Sequence, residues 1–358
     1  MEEKRRFDNL DIMKAFAIFF VLSLHVPLWK CDFINGNYIN TIQYGFRIVS
    51  EGVPIFLVIN GFLLLKKNEI DLKKHFKKMA KIVALIIVWA IILSALGCLI
   101  SAEGEKVSFE TIYFYLVNTE VGSKYTGVLW FLQNLLAVYM IYPLLWYCYK
   151  NYFDLFKYLF FVITFFVLGI DTLYKIRDGV VAFTHHQQDY FSCTIDFLNR
   201  FNPVANGWYV FYFCLGGILY KYYKELERYR LLLLLLGAVS SILAFTFGYS
   251  VSVKNGVLYN EAFNYGSIFM VFMIVGVMIF SMQYQNKGTL LEKILISIGR
   301  NCFGIYFVHF IFIFILDRFW YRNVFAERLG AFLIVLIASY IVTLLGKRNS
   351  LYKWLIEL

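Results

Sequence analysis

Residues 10–29 read LDIMKAFAIFFVLSLHVPLW, a stretch that is apolar except at a few positions. About twenty such residues are needed for a helix to cross the hydrocarbon core of a bilayer. Similar stretches recur along the whole chain, with polar segments between them. They lie near residues 10–29, 47–65, 82–102, 128–149, 155–174, 207–223, 231–251, 264–284, 301–317 and 325–346. We therefore expect an all-α fold, a polytopic transmembrane helical bundle of about ten spans.

The composition excludes a soluble globular protein. Of the 358 residues, 60% are hydrophobic and only 16% are charged, which is more apolar surface than one aqueous core can bury. Four prolines and six scattered cysteines exclude a disordered chain and a disulfide-stapled secreted module. Only Cys31 and Cys193 are expected outside, where they could pair. The spans leave no room for a soluble domain, so residues 1–358 are predicted to form a single membrane domain.

The distribution of lysine and arginine predicts the orientation. With the N-terminus inside, about two thirds of the 34 basic residues lie on the cytoplasmic side, as the positive-inside rule requires. We therefore expect a multi-pass protein of the cell membrane, embedded in the lipid bilayer, with both termini cytoplasmic. This topology explains the net charge of +10, so no nucleic-acid partner is expected.

Polar side chains in the first span are candidates for function, because burying them in lipid is costly. Asp11, Lys14 and His25 share one face of a helix that turns by about 100° per residue, and His25 lies about 16 Å beyond Lys14. The polar residues on this face could line the two ends of a path across the membrane. Imidazole titrates near neutral pH, which suits a general base, although His25 could also satisfy a carbonyl. Lys14 could equally be a snorkelling anchor.

The second span carries further polar residues and two residues that disturb helices. Arg47 and Glu51 are four residues apart and could form an interfacial ion pair, or Glu51 could orient the imidazole of the first span. Pro54 and Gly61 are expected to interrupt the helix. Asn60 and Gly61 could serve close helix packing or line a substrate path.

Segment 66–81, KKNEIDLKKHFKKMAK, holds seven lysines. Such a run usually fixes membrane topology. The alternative is an electropositive cytoplasmic vestibule that attracts a polyphosphate such as the nucleotide part of coenzyme A. The candidate residues for this vestibule are Lys66, Lys67, Lys73 and Lys74. No glycine-rich phosphate loop accompanies them.

The remaining histidines give weaker signals. His309, in the ninth span, is a second buried imidazole, for which a function and a satisfied core position are both open. His185, His186 and Asp189 lie in a polar external loop, where adjacent histidines are usually solvated, and partners at metal-site spacing are missing. We expect no metal site and no bound cofactor.

Four segments, in order along the chain, resemble the acyltransferase family 3 membrane proteins. Lys14 and His25 match the first-span signature, which is a basic residue, ten positions and a histidine. VPIFLVINGFLLL resembles the second-span motif, LWFLQNLLAVYMIYPLL the fourth, and IGRNCFGIYFVHFI the late segment with its histidine. Two positions differ from the family pattern. Lys14 stands where many members have arginine, and Asn60 stands where serine usually precedes the glycine.

The resemblance implies that an acyl group, acetyl or succinyl, moves from cytoplasmic acyl-coenzyme A as cosubstrate to a hydroxyl of an extracytoplasmic glycan acceptor. It would make His25 the catalytic residue, as a base or as a transient acyl carrier, with Lys14 at the basic position. Asp11, Glu51, Asn60 and His309 would be the supporting candidates.

Two other functions remain open from the sequence. One is a transporter or exporter of a small, amino-acid-like solute on the same fold, although the second half of the chain shows no counterpart to the broken second span. The other is a structural partner of a glycan synthase or flippase. The sequence also leaves a homo-oligomer open.

Overall fold

The computed structural model describes residues 8–100, 106–118, 123–184, 189–204, 207–282 and 284–358. These residues are overwhelmingly helical, so the predicted all-α class is confirmed. The helices are α1 (Asp8–His25), α2 (Thr41–Val49), α3 (Val53–Leu65), α4 (Leu72–Ile100), α5 (Phe109–Val117), α6 (Trp130–Asn151), α7 (Phe153–Thr164), α8 (Ile170–Thr184), α9 (Asp189–Asn199), α10 (Trp208–Leu226), α11 (Arg230–Asn255), α12 (Ile268–Met282), α13 (Leu290–Phe319), α14 (Phe325–Gly346) and α15 (Ser350–Ile356). The strands among the described residues are β1 (Phe33–Ile34) and β2 (Asn37–Tyr38).

Each of the ten predicted spans overlaps a helix. Among the described residues, seven helical segments are long and apolar enough to cross a membrane. One of them, Trp208–Asn255, contains two predicted spans because a single 3₁₀ turn joins α10 to α11. Helix α1 carries several charged residues and α12 has only 15 residues, so neither is among the seven. The number of spans and the orientation of the termini therefore stay predictions.

The helices form two compact units, and each unit is assembled from separate stretches of the chain. Unit 1 consists of Met1–Leu28, Asn68–Pro143 and Asn286–Leu358. Unit 2 consists of Trp29–Lys67 and Leu144–Gln285. The single membrane domain expected from the sequence stays a prediction.

In unit 1, α1 packs along α13. Helix α13 begins with a capping box, in which the Thr289 hydroxyl and the Glu292 carboxylate accept hydrogen bonds from each other's backbone N–H groups. Farther along α13, Gly299 lies directly against the carbonyl of Asp11, where a Cβ atom would have no room. The close approach at this glycine brings the polar side chains of α1 within reach of α13.

The part of α6 that belongs to unit 1 ends at a proline, and a histidine supplies the hydrogen bond that this proline removes. Pro143 has no N–H group, so the carbonyl of Tyr139, four residues earlier, lacks its helical donor. His75 of α4 fills the vacancy, with Nε2 donating to the Tyr139 oxygen over 2.9 Å. The imidazole is buried. Its place in the structure is therefore explained by a backbone defect.

In unit 2, α3 packs against α10 through a pair of glycines. Gly61 lies against the Phe213 carbonyl, and Gly216 lies against the Val58 carbonyl, so the two backbones touch. The packing interpretation of Gly61 is confirmed. The predicted interruption at Gly61 is wrong, because α3 is continuous through it. The predicted interruption at Pro54 is confirmed, because the span breaks at residues 50–52 between α2 and α3, and Pro54 lies in the first turn of α3, where its missing N–H is not needed.

Replacement of Gly61 by alanine is expected to destabilise the protein by about 3 kcal/mol, the upper end of the usual overpacking range, because the new Cβ meets a backbone carbonyl that cannot move alone. Thermal unfolding in detergent measures this. Gly45→Ala in α2 is the matched control, since its Cβ would make only ordinary contact with Phe245. Equal unfolding temperatures for the two variants would contradict the packing role.

Two features of unit 2 lie between the predicted spans. A hairpin, β1–β2, follows the first span, and both residues of its turn, Asn35 and Gly36, have positive φ. An Asn-Gly pair is the usual signal for such a turn. Cys31 and Cys193 are both free thiols, so the pairing considered from the sequence is wrong.

Candidate active site

Helices α1 and α13 bring two histidines of unit 1 into contact. His25 is the last residue of α1, and His309 lies in the C-terminal half of α13. The Nδ1 atom of His25 is 2.9 Å from the Nε2 atom of His309. The two rings are nearly parallel, with 10° between their planes. Phe310 packs its ring edge-on against both imidazoles, which fixes their orientation.

The hydrogen bonds assign the protons on both neutral rings. His309 Nδ1 lies 3.2 Å from the carbonyl oxygen of Ile305, which can only accept, so Nδ1 carries the proton. The Nε2 atom of His309 therefore has the lone pair and accepts from His25 Nδ1–H. It follows that His25 Nε2 has its lone pair free of that network, as a base or a nucleophile requires.

The two histidines are arranged as a base and a partner that orients it. In a catalytic triad, a third group accepts from the second nitrogen of the base and fixes its tautomer and direction. His309 holds that place for His25, while the helical carbonyl of Ile305 fixes His309 in turn. His309 is fully buried, and His25 is half-buried. The arrangement can take a proton at one defined atom, His25 Nε2.

The N-terminal part of α1 carries an ion-pair network. The Asp11 carboxylate accepts from Lys14 Nζ at 3.0 Å and from Arg300 Nε at 3.1 Å. Arg300 also donates from Nη2 to Asp8 at 2.9 Å. Asp11 is buried, and it joins α1 to α13 beside Gly299.

This network defines what Lys14 can do. Its ammonium group already pairs with Asp11, so an anion bound at Lys14 must share that charge with a carboxylate. Lys14 is eleven residues before His25 in the same helix, which places it about 16 Å away along the axis. The structure thus brings Lys14 together with Asp11 and not with His25.

Asp11→Asn is expected to cost about 2 kcal/mol of unfolding free energy, because it removes the buried carboxylate that the half-buried Lys14 and the exposed Arg300 share. Lys14→Met is expected to cost less than about 1 kcal/mol, since Arg300 still neutralises Asp11. Thermal unfolding of both variants in detergent checks the order. Lys293→Met, an exposed lysine on α13, is the control for charge loss alone. Equal losses from the two network variants would contradict the bridging role of Asp11.

A comparison with known families decides what kind of protein carries this site. The model of a family described as an acyltransferase domain matches residues 7–346, nearly the whole chain. The chain belongs to this acyltransferase family. No curated protein and no solved structure matches it significantly. The family resemblance seen in the sequence is thereby confirmed, and both histidines of the pair lie within the matched part of the acyltransferase.

Three features around the histidine pair and the ion-pair network were not predicted from the sequence. Arg300, the second cation on Asp11, stands in the late segment next to Gly299, but nothing in that segment points to α1. The Ile305 carbonyl and the Phe310 ring lie within one turn of His309, and their roles appear only once His25 is beside them. The sequence pattern that could have identified Arg300 as a candidate is a charged residue next to a glycine in an otherwise apolar segment.

The supporting candidates of the second span lie in unit 2 of the acyltransferase. Glu51 falls in the break between α2 and α3, where its carboxylate interacts with the Tyr265 hydroxyl and with the charge of Arg47. The Asn60 amide donates to the carbonyl of Phe56 in its own helix at 3.0 Å. The partner of His25 Nδ1 is His309. Catalytic support from Glu51 and Asn60 stays a prediction.

The first two lysines of the expected vestibule lie at the end of α3. The carbonyl of Lys66 accepts from Lys150 Nζ at 3.0 Å, and that of Lys67 accepts from the Trp146 indole at 2.8 Å. These contacts cap the helix and use backbone atoms of the two lysines. Partial burial lowers the pKa of the Lys66 ammonium.

The other two lysines, Lys73 and Lys74, are exposed in the first turn of α4. Asp71 caps this turn, and its carboxylate accepts from the Lys74 backbone N–H at 3.0 Å. That hydrogen bond lowers the pKa of the Asp71 carboxyl. Lys74 also pairs with Asp71 through its ammonium group, so a vestibule at this turn contains a carboxylate. The role of these lysines stays a prediction.

His185 and His186, which the sequence predicts in an external loop, lie outside the described residues, as does the side chain of Asp189. In the part of the chain that the structure describes, no group of three or more His, Cys, Asp or Glu side chains could hold a metal ion. The expectation about metal stays a prediction.

Proposed function

We propose that this acyltransferase is an integral O-acyltransferase of the cell membrane. It moves an acetyl or succinyl group from cytoplasmic acyl-coenzyme A to a hydroxyl of an extracytoplasmic glycan. The observation that carries the proposal is the hydrogen bond from His25 to His309, which leaves His25 Nε2 with a free lone pair. The family match supports acyl transfer.

In the proposed reaction, His25 Nε2 takes the proton of the acceptor hydroxyl. The oxygen attacks the thioester carbonyl carbon, and the carbon–sulfur bond breaks. The thiolate of coenzyme A then takes the proton from the imidazolium, which restores the neutral pair. His309 Nε2 accepts from His25 Nδ1–H throughout, so it stabilises the imidazolium as it forms.

The same lone pair could instead attack the thioester directly. The carbon–sulfur bond would break and coenzyme A would leave as the thiolate, so that His25 carries the acyl group on Nε2. The acceptor oxygen would then attack the acyl carbon, the bond from that carbon to Nε2 would break, and the hydroxyl proton would pass to the thiolate. The two routes differ in one observable. Rapid quenching without acceptor traps label on His25 only if the acyl group is carried there.

The position of the pair along α1 supports a reaction between two sides of a membrane. With the proposed cytoplasmic N-terminus, the network of Asp11 and Lys14 faces the donor side, and His25 lies at the opposite end of the helix. The acyl group then has to reach His25 from the cytoplasm, while the acceptor approaches from outside. The lipid bilayer, acyl-coenzyme A and the glycan are the proposed partners.

The test uses the full chain purified in detergent. Isotopically labelled acetyl- or succinyl-coenzyme A is added with and without a cell-surface glycan pool, and both free thiol and labelled glycan are measured. We expect thiol release and glycan label to rise together and to need both substrates. If no acyl-coenzyme A turns over while reconstituted protein moves small amino-acid-like solutes across vesicles, the function is transport and the proposal is wrong.

A further inference from the structure

Helix α4 of unit 1 carries two lysines that lie over aromatic rings. Lys78 Nζ is 5.0 Å from the centroid of the Tyr139 ring. Lys81 Nζ is 5.7 Å from the centroid of the Trp354 ring. The two lysines are three residues apart, so they share one face of the helix. Both are half-buried, whereas Lys73, Lys74 and Lys77 on the same helix are exposed.

The C-terminal segment completes this surface and is firmly attached to it. The Trp89 indole of α4 donates to the Leu355 carbonyl at 3.0 Å, at the end of α15. Ile356 is almost completely buried. The side chain of Asn349 caps the start of α15 by accepting from two backbone N–H groups. Trp354 is thus held beside Lys81, with 39% of its surface exposed.

Charge around these lysines is not balanced. Lys81 lies close enough to Lys78 for repulsion and close enough to Glu357 for attraction. Glu357, however, also pairs with Lys347 at 3.0 Å. Among the described residues, no ion pair joins Lys78 to a carboxylate. Lys81 and Lys347 therefore share the Glu357 carboxylate, and Lys78 adds a third cation beside Lys81, which leaves an excess positive charge at a partly buried place.

Lysines placed over aromatic rings can be stable without a ligand, because each ring offsets part of the cost of desolvation. The ring contacts explain why each lysine is stable by itself. They do not explain why two lysines lie on one helical face, where the repulsion between their charges destabilises the helix. A bound anion removes this repulsion, and an exposed indole ring beside it offers a stacking surface for a base.

We propose that Lys78, Lys81 and Lys347 bind the phosphates of a nucleotide-bearing acyl donor, with the purine on Trp354. This nucleotide patch rests on the proposed function, since it assumes acyl-coenzyme A as the donor. It moves the electropositive site from the exposed start of α4, where the sequence suggested it, by one to two turns toward the C-terminal helix. Phosphates of anionic lipids share the same chemistry, so the test separates the two sources.

The test measures binding of coenzyme A to the full chain in detergent by titration calorimetry. Lys78→Met/Lys81→Met keeps the apolar stems and removes both charges. We expect this variant to raise the dissociation constant by about tenfold or more, and Trp354→Ala to raise it by about fivefold or more. Lys287→Met/Lys293→Met is the matched control, because both lysines are exposed in unit 1 and belong neither to α4 nor to the C-terminal segment that carries the patch. It should change the constant by less than about twofold.

The outcomes separate this inference from the proposed function. If wild type and Lys78→Met/Lys81→Met bind coenzyme A equally well, the patch is wrong while acyl transfer stands. If wild type binds no coenzyme A, the proposed donor and the patch both fail. If the double variant loses phosphatidylglycerol, measured by native mass spectrometry, and keeps coenzyme A, the patch is a lipid site and the inference is overturned. In the transfer assay, the double variant should raise KM for the donor and leave kcat nearly unchanged.

Discussion

His25→Ala is expected to lower the rate of acyl transfer by about a thousandfold or more, because it removes the atom that takes the proton from the acceptor hydroxyl. If the acyl group is carried on His25, the same substitution removes its carrier. Either route therefore predicts loss of transfer. The rate of coenzyme A release in the presence of the glycan pool measures it.

The control for His25→Ala must show that the fold survives. Ser23→Ala lies on the same helix, and the Ser23 hydroxyl bonds to the carbonyl of Phe20 in that helix. We expect Ser23→Ala to transfer acyl groups normally, and both variants to elute and unfold like intact protein. Transfer at the wild-type rate by His25→Ala would refute the catalytic role of this residue.

His309→Leu is expected to lower kcat by about a hundredfold or more while KM for the donor changes little, because His25 loses the acceptor that fixes its tautomer. His309 is a positioning residue in this account, since it acts through His25. His309→Gln is the conservative variant, because its side-chain oxygen can accept from His25 Nδ1–H. We expect it to restore the rate to within about tenfold of wild type.

The comparison between the two His309 variants separates positioning from packing. Both remove the imidazole from a fully buried site, so both should lower the unfolding temperature. Only His309→Leu should lose most of kcat. If His309→Gln and His309→Leu are equally slow at temperatures where both are folded, the hydrogen bond to His25 has no catalytic role.

In the first span, helical spacing alone predicts some of the contacts that the structure shows. Helical spacing placed Asp11, Lys14 and His25 on α1, and the structure keeps them on one continuous helix. The pairing of Lys14 with Asp11 was within reach of the sequence, because residues three apart in a helix are neighbours. The approach of Arg300 was not, since it depends on how α13 packs against α1.

The contact between His25 and His309 could not be predicted from the local sequence pattern either, because it also depends on how α13 packs against α1. The two residues are 284 positions apart, and many pairings of apolar helices satisfy the same hydropathy. Each histidine could be marked as costly in a membrane, and no spacing rule links them. Helix packing determines which histidines meet, and the glycine that lets α1 and α13 approach is part of that packing.

In the second span, the helix rule for proline held and the rule for glycine did not. The predicted interruption lies just before Pro54, which stands in the first turn of α3, where its N–H would have no partner. Glycine does weaken helices, but Gly61 lies where α10 supplies packing against the backbone. Tertiary contact therefore outweighs propensity at Gly61, and position within the helix decides the outcome at Pro54.

The hydrogen bond from His75 to Tyr139 means that positions 75 and 143 do not vary independently. Loss of the histidine alone leaves a carbonyl unsatisfied at a buried site, and loss of the proline alone gives that carbonyl two competing donors. A change at one position alters the cost of a change at the other. A variant that keeps Pro143 therefore needs a donor on α4, whereas replacement of Pro143 by an ordinary residue should lower the cost of an apolar side chain at position 75.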